Sequence, residues 1–484
     1  MPTKKLKNVE SCILGAGPAG YGTALELTKG GVKDILIIDR NQIVGGLART
    51  EKLGGARFDV GPHRFFTKNQ EINQLWHETL GNDFIHIKNR ITRISYKNKF
   101  FYYPLKPFDT LAKLGPKEST QALFSFLITR LQPHSEPVTF EDWIVQKFGR
   151  KLFETFFKTY TEKVWGIPCN QIGKEWASQR IKGLDVISVI KQALLPHQSG
   201  KIKTLIDQFD YPILGAGMMY ERMQEKVEKL GAQLWLGTAV TKFNVAVGGN
   251  KIESIEVRKP DGELVEIKAQ QYFNSIPLTH FIKMLGPQEE DAVKKAADSL
   301  YYRDHITVNL LVSGENIFPD QWIYVHSPEV LMARIANYNN FSKIMAGGKN
   351  RSALSVEYFA FQHEPIWQSS NQALKLLAIK ELKHLNLLQP DQVQEAWVVR
   401  ETESYPTYYL GFQQPYEVLK NRLNQFTNLY PIGRGGLYKY NNQDHSTLSG
   451  ILAARNYLKK YNTGKSYNLW DVNTDSDYHE GQIK

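Results

Sequence analysis

The pattern at the start of the chain is apolar run, glycines, then apolar residues at helical spacing. Residues 11–14 read as a short buried strand, 21–28 as the helix that follows, and 34–38 as a second strand ending in Asp39. That order predicts the opening of a doubly wound α/β domain. From residue 104 to about 197 the apolar positions recur every three or four residues, as over 140–148 and 151–160, punctuated by Pro133, Pro137, Pro168 and Pro196. This stretch predicts a helical insertion outside the sheet. Next come an amphipathic helix over 220–230, strands at 233–236 and 240–243, a ribbon turning at Asp261-Gly262, and a strand over 272–277 returning to the first sheet. Runs rich in aromatic and β-branched residues at 307–312, 322–326, 333–337 and 354–361 predict a second, antiparallel sheet. A buried strand at 429–433 precedes a last helix, expected to start near Ser446, with the Ser446 hydroxyl as its cap, and to run to Tyr461.

A chain of 484 residues exceeds one core, since single cores stop growing near roughly 250–300 residues. The expected division is a nucleotide-binding Rossmann-type domain assembled from 1–100, 209–290 and 426–484, a helical domain over 101–208, and a sheet domain for substrate over 291–425. Two cysteines, Cys12 and Cys169, build neither a disulfide framework nor a metal site, which suits a reducing, cytoplasmic compartment. Lys4, Lys5 and Lys7 are followed by a strand and not by the apolar core of a signal peptide. The longest apolar run, 122–131, is about half of a membrane span. The formal charge of +11 admits nucleic acid as a partner, but no recognition motif accompanies the scattered lysines and arginines. An anionic cofactor and an anionic substrate would both be steered by such a surface.

The candidate chemistry starts at Gly15-Ala16-Gly17-Pro18-Ala19-Gly20. Gly15 permits a tight turn, Gly17 lets backbone approach a pyrophosphate, and Gly20 lets the helix pack closely on the strand. The helix N-terminus then offers its N–H groups to the phosphates. Asp39 lies 19 residues after Gly20, the spacing of a carboxylate that grips ribose hydroxyls. Val44-Gly45-Gly46-Leu47-Ala48-Arg49 follows, with two glycines for a second backbone approach and Arg49 for a charge-assisted contact to the pyrophosphate. Together with Gly61-Pro62-His63, this arrangement resembles the FAD family of amine oxidases, protoporphyrinogen oxidase, phytoene desaturases and UDP-galactopyranose mutase. The resemblance implies FAD as cofactor, the His63 main chain near flavin N5, and a backbone contact from Val240 to the adenine.

Three further segments are similar to UDP-galactopyranose mutases. The first is Tyr160-Thr161-Glu162-Lys163-Val164-Trp165-Gly166, with Trp176 and Gln179-Arg180-Ile181 after it. The second is Trp322-Ile323-Tyr324 with Arg334. The third is Tyr405-Pro406-Thr407, Gly433-Arg434 and Tyr438-Lys439-Tyr440-Asn441-Asn442-Gln443. The resemblance implies substrate contacts from Trp165, Trp322, Tyr324, Tyr405 and Tyr440, with Tyr103 beside them. It puts Arg180 near the flavin, Arg334 and Arg434 on the substrate diphosphate, and Gly433, Asn442 and Gln443 on the flavin side. Lys106 and Thr161 depart from the eukaryotic branch, which carries glutamine and asparagine there, and the loop at 440–442 is two residues shorter. Physically, guanidinium forks from two distant segments, each beside tyrosines, make an anion clamp for a departing diphosphate. The chain has no GxSxG, Walker loop or metal-ligand spacing, so a bound cofactor must supply the chemistry.

The resemblance implies interconversion of pyranose and furanose forms of a nucleotide-diphosphate sugar, UDP-galactose by default. The implied route is attack of reduced-flavin N5 on the anomeric carbon, with NAD(P)H as reductant. The rival readings are an FAD-dependent oxidoreductase of the amine oxidase or protoporphyrinogen oxidase type, and a flavin-binding protein without catalysis. Oligomeric state stays open.

Overall fold

The computed structural model describes residues 5–174, 176, 208–458 and 466–473. Its first sheet runs, in spatial order, Ala239–Val245, Ile252–Arg258, Leu264–Asn274, Lys5–Leu14, Ile35–Ile38 and Gln233–Trp235, with Leu429–Pro431 also on Leu264–Asn274. From Leu264–Asn274 onward the strands pair in parallel, while Ala239–Val245 and Ile252–Arg258 form an antiparallel ribbon whose inner strand is also antiparallel to Leu264–Asn274. Parallel strands are covered on both faces, and Ile35–Ile38 is accordingly buried at every position. The helices Pro18–Lys29 and Gln443–Leu458 pack against one another so closely that side chains would collide. A Cβ on Gly450 would sit 2.0 Å from the Ala19 carbonyl oxygen, and one on Gly22 2.4 Å from that of Thr447. The last helix begins at Gln443, three residues before the expected cap. Ser446 donates its backbone N–H to the Asn442 carbonyl and so belongs to the first turn.

The second sheet has the order Val393–Pro406, Tyr302–Ser313, Arg351–Ala360, Arg334–Asn337, Trp322–Val325, Thr92–Tyr96 and Lys99–Tyr102. All its pairings are antiparallel except that of Trp322–Val325 with Thr92–Tyr96. Residues 92–102, which the sequence divides at 100 between the nucleotide and helical domains, thus join the other sheet. They form a hairpin turning on Lys97 and Asn98, both at positive φ. The helix Asn371–His384 covers this sheet with Leu374, Ala378 and Leu382.

The insertion is helical as expected: Pro107–Leu114, Pro116–Leu131 and Phe140–Phe148 lead into one continuous turn series ending at Thr159–Trp165. Thr139 and Asp142 form a capping box at Phe140–Phe148, and Gly166 in the left-handed region closes the series. Among the described residues no helix is long and apolar enough to cross a membrane.

Candidate active site

The glycine loop lies where Lys5–Leu14 hands over to Pro18–Lys29. Gly15 adopts φ +116° and donates to the Ile38 carbonyl at 2.7 Å. A Cβ on Gly20 would stand 1.9 Å from the Gly15 carbonyl oxygen. The second glycine pair folds over the first: Gly45 donates to the Ala16 carbonyl at 2.8 Å, and Gly46 Cα lies 3.7 Å from where a Gly17 Cβ would be. Two layers of side-chain-free backbone therefore meet at the helix N-terminus, a cradle that any Cβ would fill. Such a cradle fits a dinucleotide pyrophosphate.

Asp39 braces this cradle, its carboxylate accepting from Ala16 N at 2.7 Å and from Asn41 N at 2.8 Å. Burial pushes its pKa upward, and these two backbone donors oppose that shift. Arg49, expected at the pyrophosphate, is held by protein partners beside the cradle. Its Nε donates to Glu51 at 2.7 Å, one Nη donates to the Gly46 carbonyl, and the other pairs with buried Glu401 in Val393–Pro406. A buried guanidinium requires carboxylate partners, and Glu401 comes from the far end of the chain, invisible in the local motif. Arg49 thus ties the cradle to the second sheet. Val240 stands just before a β-bulge in the edge ribbon.

The Gly61-Pro62-His63 loop passes over a buried trio. A Cβ on Gly61 would lie 3.4 Å from Glu357 Oε2, 3.5 Å from Arg334 Nη2 and 3.7 Å from His305 Cε1. Arg334 presents its Nε and Nη2 to the Glu357 carboxylate at 2.6 and 2.5 Å, and His305 Nε2 meets Glu357 at 2.8 Å. Burial alone would raise the Glu357 pKa, but Arg334 and His305 draw it down to about 2. Burial likewise opposes the charge on Arg334, and Glu357 more than offsets it. One fork of Arg334 is therefore committed to protein, leaving its Nη1 edge for any ligand. Neither Glu357 nor His305 was singled out by sequence. The available signal was an acid inside the otherwise apolar strand around residue 357, since a buried carboxylate demands a cation.

His63 points its Nε2 at the carbonyls of Leu47 and Val60, at 2.8 and 3.0 Å. Burial, then the charges of Arg434 and Arg334, push its pKa down to about 4. The ring is neutral near pH 7, a brace between loops and not an acid. Arg434 enters from the opposite wall. Its Nε donates to the Asn441 carbonyl at 2.9 Å and an Nη to the Ser404 carbonyl at 3.0 Å. Its Cζ sits 5.0 Å from the rings of both Tyr405 and Tyr440. Burial raises the Tyr405 pKa, while Arg334 and Arg434 both pull against it. The charges of both arginines thus bear on His63 and on Tyr405.

Aromatic residues enclose the same space. Tyr405 and Tyr440 stack at 5.4 Å, Trp165 and Trp176 lie 6.0 and 5.0 Å from Tyr440, and Trp165 and Trp176 meet edge-on at 4.4 Å. Tyr324 touches Tyr103 at 5.1 Å and Tyr160 at 5.3 Å. Trp322 is only 4% exposed and stacks on Phe341, so its indole belongs to the core beneath the site. Thr161 is buried in the Thr159–Trp165 helix. Lys106 is exposed, with its ammonium 4.2 Å from the Tyr102 ring. Gly433, at φ +72°, donates to Ser449 Oγ at 2.9 Å. Asn442 donates its backbone N–H to His445 Nδ1 at 3.2 Å, and the Gln443 side chain accepts from Tyr220 at 2.7 Å. Arg180 lies outside the described residues.

The chain is similar to several known proteins. An NAD(P)-binding Rossmann-like domain matches residues 13–79. A Klebsiella pneumoniae protein named "Probable UDP-galactopyranose mutase" is 28% identical over 176 residues, 34% of this chain and 44% of that protein. The dTDP-fucopyranose mutase of Escherichia coli is 29% identical over 168 residues, 33% of this chain and 42% of the relative. The matched stretches thus span less than half of either relative. The crystal structure of a reduced UDP-galactopyranose mutase superposes with a TM-score of 0.80 at 22% identity, covering 93% of this chain and 96% of that one. Putrescine oxidase bound to putrescine gives 0.61 at 14% identity, over 94% of this chain and 100% of the oxidase. The chain is thus similar to UDP-galactopyranose mutases in sequence over about a third of its length and in fold over nearly all of it.

Proposed function

We propose that the chain is an FAD-dependent mutase of nucleotide-diphosphate sugars, acting in the cytoplasm on pyranose and furanose forms of one sugar. The observation that carries this reading is the convergence of Arg334 and Arg434 on His63 and Tyr405. Gly15, Gly17, Gly20, Gly45 and Gly46 would hold the FAD pyrophosphate, and Asp39 the ribose, beside its two backbone bonds. Bound reduced FAD, kept reduced by NAD(P)H, supplies the nucleophilic chemistry that no side chain here offers.

The chain's own residues bind, orient and enclose. Arg434 and the outer edge of Arg334 hold the two negative charges of a diphosphate, and the Tyr405 and Tyr440 hydroxyls add neutral donors. Pairing with Glu357 fixes the Arg334 guanidinium before substrate arrives, so its field needs no reorganisation when the diphosphate departs. Trp165, Trp176 and Tyr440 form an aromatic wall suited to a base or a sugar face. The two mutase relatives carry different nucleotides and sugars by name, so the proposal is a substrate class with UDP-galactose as the first member to try.

The test is to reduce the purified protein with dithionite, supply UDP-galactopyranose, UDP-galactofuranose and dTDP-fucopyranose separately, and follow interconversion by chromatography. Arg434→Ala is expected to lose on the order of 10²-fold in kcat/KM. Oxygen uptake on an amine by the oxidised protein, with no interconversion of any sugar nucleotide, would establish the oxidoreductase reading in its place.

A further inference from the structure

The helix Pro116–Leu131 is apolar on two opposite faces. Ala122, Phe126 and Thr129 are buried against the rest of the insertion. Leu123, Phe124, Leu127, Ile128 and Leu131 are exposed, Phe124 by 67% and Leu131 by 86%. At about 100° per residue these five positions occupy an arc of about 140°, directly across the helix from the buried three. A surface helix ordinarily turns polar residues outward, and an apolar outer face marks a surface that meets something else. The neighbouring helix Pro107–Leu114 adds Phe108 at 66% and Leu111, and the two helices are joined by Ser119 Oγ donating to the Leu111 carbonyl at 2.8 Å.

Charge says what that something is. Between residues 97 and 131 the sequence has six cations, Lys97, Lys99, Lys106, Lys113, Lys117 and Arg130, against Asp109 and Glu118. Both acids are already engaged, Asp109 with Lys113 at 2.8 Å and Glu118 with Lys97 at 2.9 Å. Lys99, Lys106, Lys117 and Arg130 are exposed. A second copy of this chain, docked across a two-fold axis, would set this cationic rim against itself. An anionic bilayer answers both features: lipid headgroups take the lysines while the phenylalanines and leucines enter the acyl boundary.

We propose that the outer face of Pro116–Leu131, with the exposed edge of Pro107–Leu114, docks this protein on the surface of an anionic phospholipid membrane. The association is peripheral, since a helix of 16 residues lying in the interface plane does not span the bilayer.

Vesicle co-sedimentation of the full chain tests this. Vesicles of equal parts phosphatidylglycerol and phosphatidylcholine should retain the protein at low salt, and phosphatidylcholine alone or raised salt should release it. Phe124→Ser/Leu131→Ser should weaken retention on the order of tenfold or more, and Lys117→Glu/Arg130→Glu comparably. All these positions are exposed, so a thermal melt by circular dichroism should stay at the wild-type value and show that both variants fold. No retention of wild type on phosphatidylglycerol vesicles, or retention unchanged in both folded variants, overturns the proposal. So does a wild-type particle that light scattering shows to be a dimer, that Phe124→Ser/Leu131→Ser converts to a monomer, and that ignores vesicles.

Discussion

Neutralising Glu357 offers the sharpest test of how the site is held. Its carboxylate is fully buried and receives Arg334 Nε at 2.6 Å, Arg334 Nη2 at 2.5 Å and His305 Nε2 at 2.8 Å. Glu357→Gln keeps the shape but turns an amide NH2 toward a guanidinium or an imidazole and strands the charge of Arg334. Removing one partner of a buried pair costs about 3–5 kcal/mol. The Arg334 side chain keeps 17% exposure, so some water reaches the stranded charge and the low end, about 3 kcal/mol, is expected. Adding Arg334→Met removes that charge, and the double variant should recover about 1–2 kcal/mol relative to Glu357→Gln alone. Urea unfolding of wild type, both single variants and the double closes the cycle. A Glu357→Gln loss below about 0.5 kcal/mol, or a double variant as poor as the sum of the singles, would falsify the account of a mutually dependent pair. The same pair sets an acid limit. The Glu357 pKa is lowered from 4.5 to about 2, so its stabilisation is complete above 4.5 and disappears as pH falls through about 2.

Three other outcomes follow from the same geometry. His63, pushed down to about 4, does not titrate between about pH 5 and 8, so His63→Asn should lower turnover without changing the shape of the pH–rate profile there. Loss of an ionisation from that window in the variant would contradict it. Burial raises Asp59 and Asp444 from 3.8 to about 7, which makes the folded state favour their protonated forms. Their contribution is full below 3.8 and is lost as pH rises through about 7; Tm should drop between about pH 4 and 7 and drop less in Asp59→Asn, and equal slopes would count against it. Gly450→Ala puts a methyl 2.0 Å from the Ala19 carbonyl oxygen, and a cost of about 1–3 kcal/mol with reduced bound flavin is expected; unchanged Tm and flavin absorbance would show that the helices can part.

The glycine loop was legible because its physics is local. Gly15, Gly17, Gly20 and Asp39 lie within 25 residues, and each answers to a turn, a close approach or a strand end that spacing alone reveals. The two arginines were legible through their tyrosine neighbours in a recognised pattern, and the structure brings them to one place. Glu357, His305 and Glu401 were not, since each acquires its role only when strands distant in sequence pair. Arg49 gains its partner in the same way: its guanidinium pairs with a carboxylate more than 350 residues away, which local spacing does not reveal. The hairpin at 92–102 is hidden in the sequence because its turn residues, Lys97 and Asn98, lack the glycine that usually announces such a turn. Ser446 has the composition of a cap, whereas the helix starts about one turn earlier, at Gln443.

The interlock of Pro18–Lys29 with Gln443–Leu458 has a consequence for synthesis. The nascent chain emerges N-terminal end first, at roughly 5–20 residues per second, and the early helix must wait for its partner through more than 400 residues of translation. Throughout that interval the face of Pro18–Lys29 that carries Gly22 lacks its partner helix. A chain cut short before residue 443 would hold both sheets and an unfinished nucleotide cradle, and the apolar face left open would favour aggregation.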